Sequence, residues 1–416
     1  MFASNDFLDF IQASPSSYHA AAEVARRLEA SGFTNVDESA HWADGPGGYY
    51  FIRGGAVMAW WIPEEASPES GFRIVGSHTD SPGFVLKPSP NSSVAGWQRV
   101  AVEVYGGPIL HSWFDRELVA AGQVVLTDGS TRLVNTGPVL RIPNLAIHLE
   151  RSNEFKPDKQ QHLMPVLTVG ETTMTGVIAE QLGVNEADIA AFNMITADAQ
   201  RGEVFGGEAE FIAAGRMDNL SSVYASLRAL ESAVASGDLG HDVAVLAAFD
   251  HEEVGSATRF GAAGPLLETV LQRIALSLGA GEEERFRMFA RSSCVSADAA
   301  HSVHPNYAVK HDPDHHPIIG GGPVTKINAN QRYASHAGTI ALWENACRAA
   351  GVSVQRFVGH NEVPCGSTIG PITATRLGID TVDVGVPMLS MHSAREMVGL
   401  ADQAAFEQAL FSYFLA

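Results

Sequence analysis

The stretch Asp242-Val243-Ala244-Val245-Leu246-Ala247-Ala248-Phe249-Asp250-His251-Glu252-Glu253-Val254-Gly255-Ser256 starts apolar and ends in two adjacent carboxylates and a glycine. Its first half, rich in β-branched residues, reads as a buried strand. In open α/β sheets ligands bind at the C-terminal ends of strands, which is where Glu252 and Glu253 fall. Adjacent carboxylates repel, and a bound metal would hold their charge. One glutamate would then bind metal and the other move protons. A solvated acidic turn is the commoner meaning of such a pair, so the rest of the chain has to separate the two.

Upstream, Phe72-Arg73-Ile74-Val75 reads as a second strand, running into Gly76-Ser77-His78-Thr79-Asp80-Ser81-Pro82-Gly83. A neutral imidazole binds metal well when a carboxylate accepts its second N–H, so His78-x-Asp80 has a mechanism, although a polar turn would look the same. Before it, Ser16 to Gly32 predicts a helix with an Ala20, Ala21, Val24, Leu28 stripe, and Tyr49 to Ile62 a hairpin. From Lys87 to about Gly207 the pattern changes to short alternating segments with frequent Gly and Pro, such as Trp97 to Tyr105, and little helical periodicity until about Thr175. That reads as a β-rich domain inserted into an α/β domain, with residues 86–209 as the insert and 1–85 plus 210–416 as the host. The expected fold is a mixed, largely parallel sheet flanked by helices, with this β-rich second domain.

Downstream, Asp218 precedes a helix predicted from Ser221 to about Ala235, where it serves as an N-cap or as a carboxylate reaching into a metal site. Further helices are predicted near Pro265 to Leu278, Ala337 to Ala350 and Asp402 to Leu415. Strands are predicted at Cys294 to Ala297, Val352 to Val358 and Ile379 to Val386. The strand at Cys294 ends at Asp298, and the one at Ile379 leads toward His392. His301, His304, His311, His315 and His316 crowd a proline-broken loop and read as polar packing. His148, alone in the apolar run Asn144 to Leu149, reads first as structural.

The 416 residues are 45% hydrophobic, enough for two or three domains with real cores. Lys and Arg number 27 against 47 Asp and Glu, a net charge of −20 that argues against nucleic-acid or anionic-membrane partners. Cys294, Cys347 and Cys365 make neither a disulfide framework nor a thiolate metal site. The N-terminus is acidic where a signal peptide would be basic, and no apolar run reaches membrane-spanning length. The balance suits a soluble cytoplasmic enzyme.

His78, Asp218, Glu253, Asp298 and His392 all fall at strand ends or loop junctions, so parallel strands could bring them to one edge. Two histidines and three carboxylates suit a pair of zinc-like divalent ions, with Glu252 left as a general base; manganese or cobalt would tolerate the set. At these residues the chain resembles the aspartyl aminopeptidases, which are co-catalytic dinuclear zinc exopeptidases. The blocks that carry the resemblance are Val75 to Gly83, Gly215-Arg216-Met217-Asp218-Asn219-Leu220, Asp250 to Ser256, Asp298-Ala299-Ala300-His301-Ser302-Val303-His304-Pro305-Asn306-Tyr307 and Met391-His392-Ser393-Ala394-Arg395-Glu396. They follow in order along essentially the whole chain.

The resemblance implies two metal ions per subunit. Asp218 would bridge them, with His78 and Asp298 completing one site and Glu253 and His392 the other. Glu252 would take a proton from the bridging water and pass it to the leaving amine, and Asp80 would orient His78. It further implies a substrate with a free acidic N-terminus, a self-association reaching a dodecamer built from dimers, and a His148 that acts in a neighbouring subunit's site. Lys326 is the candidate cation for an Asp or Glu side chain; its alternative is an ordinary surface lysine.

Overall fold

The computed structural model describes residues 3–42, 45–151 and 154–416. At its centre is a nine-stranded sheet whose middle four strands are parallel. In spatial order these are Val243–Phe249, Phe72–His78, Ser293–Ala297 and Asp380–Gly385. All seven residues of Val243–Phe249 are buried. A parallel strand covered by helices on both faces needs such a run, which is why the sequence shows no polar alternation here. The hairpin Gly47–Arg53 and Ala56–Ile62 adds antiparallel to one side, and Val324–Ile327 antiparallel to the other.

Alternate residues of the strands feed two cores. Ala244, Leu246 and Ala248 pack with the helices Ser17–Ala30, Met217–Ser236, Ala337–Ala349 and Leu400–Phe414. Val245, Ala247 and Phe249 pack with Leu266–Ser277, Glu282–Arg291 and Ile369–Leu377 on the opposite face. Each fully buried Val, Leu or Phe contributes about 1.5–3 kcal/mol, so the frame that carries the strand ends is firmly held. Ser16 caps its helix by accepting the His19 amide.

The segment from Gly83–Val94 to Ile189–Asp198 forms a second, wholly antiparallel sheet. Its strand Ile189–Asp198 pairs with both Gly83–Val94 and Glu117–Leu126, which closes six strands into a barrel with Thr131–Asn135 appended outside. Closure removes exposed edges, and Phe84, Val102, Trp113, Leu118 and Val124 fill the interior. The helix Met174–Leu182 packs against that interior.

Three helices escaped the sequence reading: Ser4–Ala13, Glu282–Arg291 and Ile369–Leu377. Glu282–Arg291 is short, opens on three glutamates and buries only Met288, so charge dominates its composition. Ile369–Leu377 carries Gly370 and Pro371, which resemble a turn, yet proline is tolerated in a helix's first turn. A five-stranded sheet of short, distant segments was also unforeseen: Glu203–Phe205, Phe211–Ala214, Glu396–Gly399, Pro387–Leu389 and Ala300–His301. All three cysteines are free. Among the described residues no helix is long and apolar enough to cross a membrane.

Candidate metal centre

Register fixes the geometry. Phe249 lies beside His78, Ser296 beside Gly76, and Ala297 beside Val384. The ends of the four parallel strands therefore present His78, the Glu252–Glu253 turn, Asp298 and the loop to His392 along one edge. Asp218 arrives from the kinked start of the Met217–Ser236 helix, where Asp218 and Asn219 depart from helical geometry. It is a ligand-like carboxylate at a loop–helix junction, and no side-chain N-cap bond is formed there.

Asp218 stands between two groups. Its Oδ1 is 3.4 Å from His78 Nε2, and its Oδ2 is 3.5 Å from His392 Nε2. His78 Nε2 also lies 3.7 Å from Asp298 Oδ1 and 3.9 Å from Glu252 Oε2. His392 Nε2 lies 3.4 Å from Glu253 Oε2. Three overlapping sets of donor atoms, all within 4.8 Å of one another in each set, are compatible with metal ions: His78, Asp218 and Asp298; Asp218, Glu253 and His392; and His78, Glu252 and Glu253. Asp218 Oδ1 and Glu253 Oε1 are buried and accept no hydrogen bond. Such orphaned carboxylate oxygens are costly in a dry site, and a mixed imidazole–carboxylate set is one that zinc accepts. The residues fit divalent cations.

The surrounding hydrogen bonds hold the donors in place. His78 Nδ1 lies 3.0 Å from the Asp80 carbonyl oxygen and 3.4 Å from its carboxylate. The Asp80 carboxylate itself accepts the amides of Glu252 and Glu253, each at 3.1 Å. Glu396 accepts the Asp218 amide at 2.9 Å with one oxygen and the His392 amide at 2.8 Å with the other. The ladder pair Ala214–Glu396 delivers it there. His392 Nδ1 lies 3.0 Å from the Gly107 carbonyl oxygen, so its Nε2 is the nitrogen left for a ligand role.

Charge is concentrated here, and the protonation states show it. Burial pushes Glu252 up to about 7 against the pull of His78, and Asp298 and Asp218 add to the rise. Burial and the Asp218 charge lift Glu253 well above the carboxylate range. Burial opposes charge on Asp218 too, but His392 and His78 hold it below its ordinary value. Burial likewise disfavours charged His392, yet Asp218 and Glu253 raise it to about 10. Cations bound here would balance the carboxylates and compete with protons for the imidazoles.

A family model for the aminopeptidase I zinc metalloproteases (M18) matches residues 10–415. The chain belongs to the M18 family of aminopeptidases. It is 47% identical over 419 residues to a probable M18 family aminopeptidase 2 of Streptomyces coelicolor, covering 99% of this chain and 97% of that one. Among solved structures, Ape4 in its complex with Nbr1 superimposes with a TM-score of 0.95 at 36% identity, over 99% of this chain and 85% of that one. The S. cerevisiae mApe1 dodecamer superimposes with a TM-score of 0.86 at 27% identity, over 99% and 96%.

Two further candidates of this M18 aminopeptidase lie outside the six central residues, one against them and one away from them. Lys326 is no surface lysine: it is 2% exposed, with Nζ 3.5 Å from Asp298 Oδ2 and donating to the Ala299 carbonyl at 3.2 Å. His148 is exposed in the loop after Ile142, and among the described residues no hydrogen bond or ion pair joins it to the cluster. Tyr105, Gly107 and Glu396 were missed. Glu396 lay in a recognised block, four residues after His392, and a lone glutamate at that spacing was its only signal. Tyr105 and Gly107 had none, since they lie at and just beyond the end of a strand of a different sheet.

Proposed function

We propose that this enzyme removes the N-terminal residue of peptides at a pair of divalent ions, zinc before manganese or cobalt. Asp218 would be shared between His78 and Asp298 on one side and Glu253 and His392 on the other. The observation that carries this reading is Asp218, whose two oxygens face separate histidines at 3.4 and 3.5 Å. The ions, when bound, supply Lewis acidity and bring water ionisation near neutral pH. Glu252, 17% exposed at the mouth of the cluster and with a pKa pushed to about 7, would accept the proton of the attacking water and return it to the leaving amine. Asp80 would keep both glutamates in register through their amides. The buried carboxylates would also draw in the free α-amine that defines an N-terminus.

We infer a preference for N-terminal Asp or Glu, with Lys326 as the cation that receives the acidic side chain. Its burial beside the site favours this role over a surface one. The same geometry supports a second reading, an aminopeptidase of other selectivity, because Asp298 already pairs with Lys326. We further propose that residues 86–209 act as an oligomerisation and lid domain on a catalytic domain of residues 1–85 and 210–416, and that subunits assemble from dimers into a dodecamer; the S. cerevisiae mApe1 structure is a dodecamer. Leu145, Ile147 and Leu149 flank His148 at 63, 66 and 75% exposure, an apolar display that suits a loop covered by a neighbour, with His148 entering its site.

One experiment tests the core of this reading. Purified protein is assayed on matched substrates beginning with Asp, Glu, Leu and Lys, with metal content and particle mass measured on the same sample. Fast cleavage of the acidic pair at about two ions per chain is the expected result. Equal rates on all four would leave the aminopeptidase and remove the acidic preference.

A further inference from the structure

The Asp80 carboxylate, 4% exposed, is the fixed point of the catalytic turn. Its Oδ1 accepts the Glu252 amide and its Oδ2 the Glu253 amide, both at 3.1 Å. A third donor reaches Oδ2 from the other sheet: the Tyr105 hydroxyl, at 2.8 Å. Tyr105 is the last residue of the barrel strand Trp97–Tyr105. The chain then continues along the site. Gly106, at φ 67°, passes so close to Glu253 that a Cβ would lie 3.1 Å from the Glu253 Cβ. Gly107 receives His392 Nδ1 on its carbonyl at 3.0 Å. Three consecutive barrel residues thus touch Asp80, Glu253 and His392.

We propose that the Tyr105-Gly106-Gly107 turn is a positioning element of the active site, with Tyr105 acting through Asp80 on the backbone of Glu252 and Glu253. A carboxylate's terminal torsion is broad, so two amides on one edge do not fix the plane of Asp80. The phenol closes the set from a second direction. Without it, a buried charged oxygen loses a strong donor. Rotation of Asp80 would then shift two amides at once, and with them the proposed base and a proposed ligand. The inference rests on the peptidase reading for its kinetic consequence only; the geometric part stands on the hydrogen bonds.

Tyr105→Phe removes the hydroxyl and keeps the ring. In the metal-free protein, amide exchange at Glu252 and Glu253 is expected to rise at least about tenfold, with Val243–Phe249 unchanged. In the loaded enzyme kcat is expected to fall at least about tenfold with KM within about twofold. Adding Tyr105→Phe to Asp80→Asn should cost nothing further, because the two act on one contact. Unchanged exchange at both amides, a general rise across the sheet, or additive losses in the double variant would overturn the proposal. If the wild type cleaves no peptide, the exchange result still decides the positioning claim, and only the functional reading fails. Should Tyr105→Phe not fold, Gly106→Ala reaches the same turn. It is expected to displace Glu253 and lower metal content while particle mass holds, and full metal content there would count against the turn.

Discussion

The two halves of the candidate metal centre are built differently. The half around His78 and Asp298 comes from the ends of two neighbouring parallel strands, paired from Ser293–Arg73 to Ser296–Gly76. His78 is only 2% exposed at its side chain, and Lys326 backs Asp298 from within the fold. The half around Glu253 and His392 comes from a short turn and a loop. His392 is 31% exposed, adopts φ 69°, and is held by Glu396 behind its amide and Gly107 at its ring. The sheet alone defines the first half. The second also needs the barrel and the five-stranded sheet. Left-handed backbone at Arg216, His251 and His392, none of them glycine, marks where the chain is bent to bring the halves together. Asp218 is shared by the His78–Asp298 and Glu253–His392 donor sets.

That contrast can be broken at several points. The largest effect is expected at Glu252, the proposed general base. Glu252→Gln should cut kcat by about 10²- to 10⁴-fold with metal content unchanged. Kinetics with metal analysis on one preparation would check this, and substantial residual activity would remove it as the base. Next comes the division itself. His392→Ala should leave the sheet-built half intact and reduce the metal from about two ions per chain to about one. Full occupancy by elemental analysis would take His392 off the set of ligands.

Glu396→Gln sharpens the comparison, since it replaces an acceptor oxygen with a donor opposite a backbone amide. Metal affinity should weaken about 10- to 100-fold, measured by competition with a chelator. The loosely held half should lose its ion first. The smallest expected effect is at Lys326. Lys326→Ala should lower kcat/KM on Asp and Glu substrates roughly tenfold more than on Leu substrates. An equal loss on both would make Lys326 a support for Asp298 and not a substrate contact.

Much of this was legible in the sequence because its signals are local. The apolar runs at Phe72, Val243 and Ile379 announce strands by composition, and the polar residues that follow each run sit where parallel strands end. Order along the chain then named His78, Asp218, Glu253, Asp298 and His392 as residues that one sheet could gather. Chain order also placed the β-rich segment between the two parts of the α/β sheet. Local pattern failed where a short helix is dominated by charge, as at Glu282–Arg291.

Contacts between residues far apart in the chain belong to the assembled fold. Gly107 meets His392 across 285 positions, and Glu396 meets Asp218 across 178. Neither periodicity nor spacing encodes such pairs; they follow from sheet register and barrel closure. The same is true of Lys326, read from the sequence as either a cation for an acidic side chain or a surface lysine; the fold buries it beside Asp298. The sequence by itself determined which side chains could carry the chemistry. Packing determined which oxygen of Asp218 faces which histidine and how Tyr105 holds Asp80, because hydrogen-bond direction is a property of the assembled fold and not of the local chain.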